Sequence, residues 1–275
     1  MAWIDNMFKK RDLLTMIVGL AIIQLLACLL INRFMFCPVR GGYDKTIDGF
    51  VDIGTNGVAV AARVIGPQKG KKAVIYCHGN AEDLTALEGR FKNLVENGYT
   101  VATFDYPGYG LSCGTPNEQG CYRNAFRLYD WLIDIRGFKA EDIIVMGYSI
   151  GTGVAVELAA KRAVGGLWLE AAYLSAPRVI TKFRVLFVDP FPSIEKIGKV
   201  KCPVMMLHGI ADSIIPYTHG LKLYEAAPYP KWFIPIQDAD HDNFIDIMGV
   251  KKYNDVLHRF VRDGCLAEAT HYEKR

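Results

Sequence analysis

Three side chains that lie far apart in the sequence carry the groups of a nucleophile, a base and an acid. The run from Gly147 to Gly151 reads G-Y-S-I-G, with Ser149 at its centre, between an apolar run and a helix-like stretch. A G-x-S-x-G pattern in that position predicts a tight turn that holds the serine hydroxyl clear of the backbone. The flanking residues must be small because larger side chains would collide with the turn. The pattern therefore predicts a nucleophilic serine.

A serine hydroxyl needs a neighbouring base, and an imidazole suits that task at neutral pH. His241 follows the last strand-like run, where a loop can bring it over Ser149. A carboxylate must then fix the tautomer of the imidazole and stabilise the imidazolium. Asp212 follows a strand-like run between the serine and the histidine. We therefore expect Asp212 and His241 to act with Ser149.

Other side chains compete for the acid and base positions. Glu170 ends the strand before that of Asp212 and is the better rival acid, whereas Asp83 precedes the serine and is predicted to cap a helix. His219 opens a predicted helix and His258 lies within one, so both are weaker candidates for the base.

Further polar residues at strand ends are assigned to structure rather than chemistry. His78 and His208 are expected to support their loops. Asp105 is expected to bind backbone N–H groups of the loop that follows it.

The elements that must position these residues alternate along the chain. Phe50–Ile53 and Val58–Ile65 predict a hairpin. Further strands are predicted over Ala73–Cys77, Thr100–Asp105, Ile143–Met146, Gly166–Leu169, Val204–Leu207 and Trp232–Ile236. Helices are predicted over Thr85–Asn97, Glu118–Arg136, Val154–Lys161, His219–Ala226 and Tyr253–Asp263. This order predicts an α/β fold with a mostly parallel sheet and helices on both faces.

One domain, residues 38–265, accounts for these elements, and residues 266–275 form a predicted tail. Loops at the carboxyl ends of parallel strands converge on one crevice, so the chemical residues are expected there together. The stretch between Leu169 and Cys202 is too short for a large lid. A minimal lid predicts an open crevice. Substrates would then be selected by surface residues such as Phe183, Phe187 and Phe191, or by the proximity of the crevice to the membrane.

Four loop motifs carry a resemblance to a known family. They are His78-Gly79-Asn80-Ala81, the run Asp105 to Gly110, the run Gly147 to Gly151, and His208-Gly209 through Asp212, followed by His241. Together they resemble the α/β-hydrolases, in the membrane-anchored group that includes the Bem46-like serine hydrolases and α/β-hydrolase domain-containing proteins 13 and 17. The resemblance covers nearly all of the chain from Tyr43 to Val261.

The resemblance implies a role for each matched residue. The order Ser149, Asp212, His241 is that of the α/β-hydrolase nucleophile, acid and base. The oxyanion hole would use the backbone N–H groups of Ile150 and Asn80, and each such donor can contribute about 3 kcal/mol.

The N-terminal region predicts a membrane segment. Residues 1–12 form a tail, and residues 13–36 contain nineteen successive positions without a charge, Leu13 to Ile31. As a helix those positions span about 28 Å, close to the hydrocarbon thickness of a bilayer. A cleaved signal peptide, or a lipoprotein signal ending at Cys28, is the alternative. We expect a single-pass anchor, and the side of the membrane that holds the domain stays open because positive charges flank both ends.

Composition excludes several other classes of protein. The net charge is only +3, and no basic stripe with interleaved aromatics occurs, so nucleic acid is not an expected partner. Seven cysteines without a C-x-x-C argue against a disulfide framework, although a single bridge between Cys113 and Cys121 stays open. The six histidines lack metal-ligand spacing, so no metal site is expected, and acyl transfer through a serine requires no organic cofactor.

The sequence therefore predicts a membrane-anchored serine hydrolase of the carboxylesterase or acyl-thioesterase type. Its expected substrates are esters or thioesters, with a lipid or an acylated protein favoured by the anchor. The alternatives are a serine peptidase or amidase of the same fold, and an anchored interaction protein without catalysis.

Overall fold

A computed structural model describes residues 12–23, 25–26, 33, 35–181 and 189–264. The described residues form a sheet of eight strands. These strands are β1 (Phe50–Asp52), β2 (Ala61–Ile65), β3 (Ala73–Cys77), β4 (Thr100–Phe104), β5 (Ile143–Tyr148), β6 (Gly166–Glu170), β7 (Val204–Gly209) and β8 (Lys231–Ile236).

The strand order across the sheet is β1-β2-β4-β3-β5-β6-β7-β8. β1 pairs antiparallel with β2, and β2 pairs antiparallel with β4, whereas all pairings from β4 to β8 are parallel. The predicted hairpin and the mostly parallel sheet are therefore confirmed. The carboxyl ends of β3, β5, β7 and β8 meet along one edge, which brings together the loops that carry the chemical residues.

Helices connect the strands. Within the described residues after position 50 they are α1 (Lys92–Glu96), α2 (Glu118–Asp134), α3 (Ile150–Lys161), α4 (Ala176–Thr181), α5 (Ser193–Lys196), α6 (Tyr217–Ala226), α7 (Phe244–Met248) and α8 (Val250–Asp263). Short 3-10 turns occur at Leu84–Leu87, Ala140–Asp142 and Ile197–Lys199.

The sheet is covered on both faces, as predicted. Alternate residues of β3 enter different cores: Ala73, Ile75 and Cys77 lie in one, and Val74 and Tyr76 in the other. Successive side chains of a strand point to opposite faces, so the two cores lie on the two faces of the sheet. Residues of α2, α3 and α6 complete the first core, and residues of α1, α7 and α8 complete the second.

The predicted helix over Thr85–Asn97 is wrong as a single element. The structure has a 3-10 turn over Leu84–Leu87 and a short helix, α1, over Lys92–Glu96. Gly89 lies between them with φ +75°, a left-handed conformation that a continuous helix does not allow. Asp83 caps the first turn, since its carboxylate accepts a hydrogen bond from the Thr85 amide.

Two phenylalanines are buried, Phe36 at the end of the predicted anchor segment and Phe191, which the sequence assigns to a substrate-selecting surface. Phe36 is 5% exposed and Phe191 is fully buried, and their rings contact each other edge to face at 6.1 Å. Phe191 therefore belongs to the core rather than to a substrate-selecting surface. Phe183 and Phe187 lie outside the described residues.

Part of the predicted membrane anchor lies outside the described residues. Residues 1–11 of the N-terminal tail and all of the C-terminal tail, residues 266–275, also lie outside them. Residues 12–23 are helical, and several of their apolar side chains, such as Leu14 and Ile23, are more than half exposed. Among the described residues, no helix has both the length and the apolarity needed to span a bilayer.

The open question of a disulfide is answered for the described cysteines. Cys113 is exposed and Cys121 is buried, and both are free thiols. The bridge that the sequence left open between them is therefore not formed.

Candidate active site

Ser149 occupies a tight turn between a strand and a helix. β5 ends at Tyr148 and α3 begins at Ile150, so a single residue connects the two elements. Ser149 has φ 51° and ψ −121°, a conformation that is strained for any residue with a side chain. The helix predicted from Val154 thus begins four residues earlier, and the turn holds Ser149 at the carboxyl end of the strand.

The glycines on either side of Ser149 are required by close packing. A Cβ on Gly147 would lie 2.6 Å from the Gly151 carbonyl oxygen. A Cβ on Gly151 would lie 2.0 Å from the carbonyl oxygen of Cys77 and 2.7 Å from that of His78. The start of α3 therefore abuts the end of β3, which brings the loop after His78 next to the serine.

His241 joins the serine to Asp212 through two hydrogen bonds. Its Nε2 lies 3.0 Å from Ser149 Oγ, and its Nδ1 lies 2.9 Å from Asp212 Oδ2. An ionised carboxylate can only accept hydrogen bonds, so the proton of the neutral ring is assigned to Nδ1. The unprotonated Nε2 then accepts from the serine hydroxyl. The structure brings together the three side chains that the sequence selected.

Asp212 is held as a carboxylate. Its Oδ1 accepts hydrogen bonds from the amides of Ile214 and Ile215, and His208 Nε2 lies 3.4 Å from Oδ2. Burial opposes ionisation, but the hydrogen bonds from His208, His241 and the Ile215 amide outweigh it and hold the pKa of Asp212 well below its usual value. At neutral pH the group therefore carries the negative charge that stabilises a protonated imidazole.

The loop that carries His241 is fixed from two sides. The His241 amide donates to Asp240 Oδ1 at 2.7 Å. The Tyr148 hydroxyl donates to the His241 carbonyl oxygen at 3.2 Å, and the two rings lie with centroids 5.4 Å apart. Tyr148 thus links the serine turn to the histidine loop. This role could not be predicted from the sequence, because Tyr148 lies at a variable position of the G-x-S-x-G pattern.

The backbone N–H groups of Ile150 and Asn80 are the two that the sequence predicts for an oxyanion hole. Ile150 is the first residue of α3, so its N–H has no acceptor four residues earlier in the helix. In the loop after β3, the Gly79 N–H already donates to Glu82 Oε2 at 2.6 Å. Asn80 follows directly, and its side chain points to Met35 and Cys37, so only its main-chain N–H remains for the site.

The rival acid, Glu170, lies in a different environment. Its carboxylate is fully buried, pairs with Arg90, and accepts hydrogen bonds from Trp168 Nε1 at 2.8 Å and Tyr253 Oη at 2.6 Å. Its main-chain oxygen accepts from the Ser149 amide at 3.0 Å. Glu170 therefore supports the turn that carries Ser149, and the carboxylate that contacts His241 is that of Asp212.

The remaining histidines make the structural contacts expected of them. His78 packs on Tyr106 with ring centroids 4.1 Å apart, and His208 Nε2 lies 2.9 Å from the Ile215 carbonyl oxygen. His219 Nδ1 lies 3.4 Å from the Leu174 amide, and His258 packs edge to face on Tyr99. None of these contacts involves Ser149.

Asp105 binds within its own loop, as expected. Its carboxylate accepts from the Leu111 amide at 3.3 Å and from the Tyr43 hydroxyl. Burial raises the pKa of Asp105 to about 7, and the hydrogen bond from Tyr43 only partly opposes that rise.

Comparison with known proteins shows the family to which the chain belongs. The family described as serine aminopeptidase, S33, matches residues 68–196. The human α/β-hydrolase domain-containing protein 17B is 33% identical over 195 residues, which cover 70% of this chain and 66% of the human protein. The chain belongs to the α/β-hydrolase superfamily.

Solved α/β-hydrolase structures share the fold. The Pyrococcus furiosus esterase Pf2001 has a TM-score of 0.67 and 19% identity, covering 82% of this chain and 98% of that one. The Paleococcus ferrophilus monoacylglycerol lipase has a TM-score of 0.59 and 19% identity, covering 74% of this chain and 98% of the lipase. Ser149, Asp212 and His241 follow β5, β7 and β8 in the chain order that the nucleophile, acid and histidine have in this superfamily.

Proposed function

We propose that this α/β-hydrolase is a serine hydrolase that cleaves ester or thioester bonds through an acyl-enzyme. The observation that carries the proposal is the pair of hydrogen bonds from His241 to Ser149 and to Asp212, at 3.0 and 2.9 Å. A serine hydroxyl, an imidazole and a buried carboxylate in this order can transfer a proton from the hydroxyl as it attacks a carbonyl.

In the first half of the reaction, Ser149 Oγ attacks the carbonyl carbon of the substrate and its proton passes to His241 Nε2. The N–H groups of Ile150 and Asn80 stabilise the oxyanion of the tetrahedral intermediate. When the intermediate collapses, His241 returns the proton to the leaving alcohol or thiol. The acyl group is then bonded to Ser149.

In the second half, His241 takes a proton from water, which attacks the acyl-enzyme. Collapse of the second intermediate releases the carboxylic acid and restores the serine hydroxyl. Asp212 stays ionised throughout, because its pKa is held low, and it stabilises the imidazolium in both halves.

The N-terminal segment supports a location at a membrane. Residues 13–31 contain no charge, and the described part of that segment is helical with exposed apolar side chains. Phe36 is buried in the domain, so an anchor would use the residues before Met35 and would hold the crevice close to lipid. Lipid esters and acylated proteins are therefore the substrates that we favour.

Alkaline carbonate extraction of membranes that contain the full-length protein tests the anchor. An integral anchor keeps the protein in the membrane pellet. Release of the protein into the supernatant, in a preparation whose integral membrane marker stays in the pellet, contradicts the anchor.

Hydrolysis assays test the reaction and the bond that is cleaved. The wild type is expected to hydrolyse short p-nitrophenyl esters or long-chain acyl thioesters, and the Ser149→Ala variant is expected to lose that activity. No turnover of either class by the wild type, or equal turnover by the variant, would contradict the proposal.

A serine peptidase or amidase is the second candidate. The match to a family described as serine aminopeptidase over residues 68–196 favours it. Preferential hydrolysis of aminoacyl amides, abolished by Ser149→Ala, would support this candidate over the esterase. An anchored interaction protein would hydrolyse none of the three substrate classes.

A further inference from the structure

The side chain of Asn80 is hydrogen-bonded to the last residues of the predicted anchor segment and to the residue that follows it. Its Oδ1 accepts from the Cys37 amide at 2.8 Å, and its Nδ2 donates to the Met35 carbonyl oxygen at 2.8 Å. The amide thus binds main-chain groups on both sides of Phe36. We call residues 35–37 the strap.

Tyr109 joins the same contact from the loop after β4. Its hydroxyl donates to Asn80 Oδ1 at 2.7 Å and lies 3.1 Å from the Cys37 amide. Its ring is fully buried and meets Phe36 edge to face, with centroids 6.5 Å apart. The strap is therefore held by a buried ring as well as by hydrogen bonds.

The main chain of Asn80 has few other restraints among the described residues. Its neighbour Ala81 has φ 59°, and the Gly79 amide is turned toward Glu82. A positive φ at alanine is unfavourable and persists only where surrounding contacts impose it. The side-chain amide of Asn80 supplies three such contacts, to the Cys37 amide, the Met35 carbonyl oxygen and the Tyr109 hydroxyl, at the residue next to Ala81.

We propose that the strap, through Asn80, positions the loop after β3 that carries the proposed oxyanion donor, so that the end of the predicted anchor segment completes the active site. The inference rests on the proposed function, in which the Asn80 N–H stabilises the oxyanion. Asn80 has two tasks: its main chain contacts the reacting group, and its side chain sets the direction of that N–H. A movement of the strap is thereby passed to the oxyanion hole.

The test uses the full-length protein in detergent micelles with a soluble short-chain p-nitrophenyl ester. Asn80→Ala removes the side-chain contacts and keeps the main-chain N–H. We expect kcat to fall about tenfold with little change in KM, less than the loss of about 100-fold or more that follows removal of an oxyanion donor itself. Active sites are counted with a fluorophosphonate probe, so that kcat refers to folded enzyme.

A matched pair at Cys37 tests the strap from its other side. Cys37→Pro removes the N–H that donates to Asn80, whereas Cys37→Ala removes the exposed thiol and keeps that N–H. The alanine variant is expected to match the wild type, and the proline variant is expected to resemble Asn80→Ala. Tyr109→Phe, which keeps the ring and loses the hydroxyl, is a second variant should the proline prevent folding, and it is expected to lower kcat in the same way.

The double variant separates coupling from independent damage. If the strap acts through Asn80, Cys37→Pro combined with Asn80→Ala loses little more kcat than the larger single loss. Additive losses, or wild-type kcat in both Asn80→Ala and Tyr109→Phe, would overturn the coupling. Those outcomes require an active wild type, whereas failure of the proposed function appears as a wild type with no Ser149-dependent turnover.

Discussion

The hydroxyl of Tyr148 donates a hydrogen bond to the main-chain oxygen of His241, 3.2 Å away. This contact joins the end of β5, which carries the serine, to the loop after β8, which carries the histidine. The distance between Ser149 and His241 is therefore set by a direct bond between their supporting segments as well as by the sheet.

Tyr148→Phe removes that bond and keeps the ring. A single hydrogen bond contributes about 1 kcal/mol, so we expect kcat to fall about fivefold while KM is unchanged. Steady-state kinetics with a soluble ester measure the effect. Tyr229→Phe, at a tyrosine that is 82% exposed, is the matched control and is expected to match the wild type. A fall in both variants would show that the loss is unrelated to the histidine loop.

Asp212→Asn replaces the buried acceptor of His241 with an amide. An amide can donate to Nδ1 and favour the wrong tautomer, and in serine proteases the corresponding change costs about 10⁴ in kcat. We expect a loss of that order in kcat/KM. Asp238→Asn is the control, because Asp238 is exposed at φ 60°, a conformation that asparagine tolerates. Comparable activity in the two variants would show that Asp212 does not orient the histidine.

Arg90→Met leaves the fully buried Glu170 without its cation. Removing one partner of a buried ion pair costs about 3 to 5 kcal/mol, so we expect a loss of that size in the free energy of unfolding. Lys92→Met, which breaks an exposed ion pair to Glu96, is expected to cost less than about 1 kcal/mol. Urea unfolding measures both, and partial recovery is expected when Arg90→Met is combined with Glu170→Gln. Equal losses in the two single variants would contradict the role of the buried pair.

The raised pKa of Asp105 predicts that the free energy of unfolding depends on pH. The pKa of Asp105 is about 7 in the folded protein, whereas an unperturbed aspartate has a pKa of 3.8. The folded state therefore binds the proton more tightly than the unfolded state does. Stability from this group is therefore greatest at low pH and is lost as the pH rises toward 7. Between pH 5 and 7 the loss is about 2 to 3 kcal/mol. Urea unfolding at these two pH values should show a smaller change for Asp105→Asn than for the wild type, and an equal change would contradict the raised pKa.

Sequence was sufficient for the sheet and for the three central side chains. Apolar runs of strand length mark the strands, and Ser149, Asp212 and His241 follow three of them at the edge where loops converge. The geometry of that edge depends on topology alone, so residues 29 to 92 positions apart are brought together predictably.

Sequence was insufficient where contacts depend on partners from distant segments. Phe36 follows a long apolar segment, and nothing local to it shows that Phe191 and Tyr109 bury its ring. The role of the Asn80 side chain likewise depends on Cys37, 43 residues earlier. The broken helix after Leu84 is different, because Gly89, a residue type that weakens helices and tolerates a positive φ, is visible in the sequence itself.

The most direct test of the account is covalent labelling by a fluorophosphonate, with the modified residue located by peptide mass spectrometry. A serine activated by His241 reacts with this probe, whereas an ordinary turn serine does not. The account predicts one adduct per chain, on Ser149, absent from Ser149→Ala and strongly slowed in His241→Ala. An unlabelled wild type, or labelling that persists in Ser149→Ala, would contradict it.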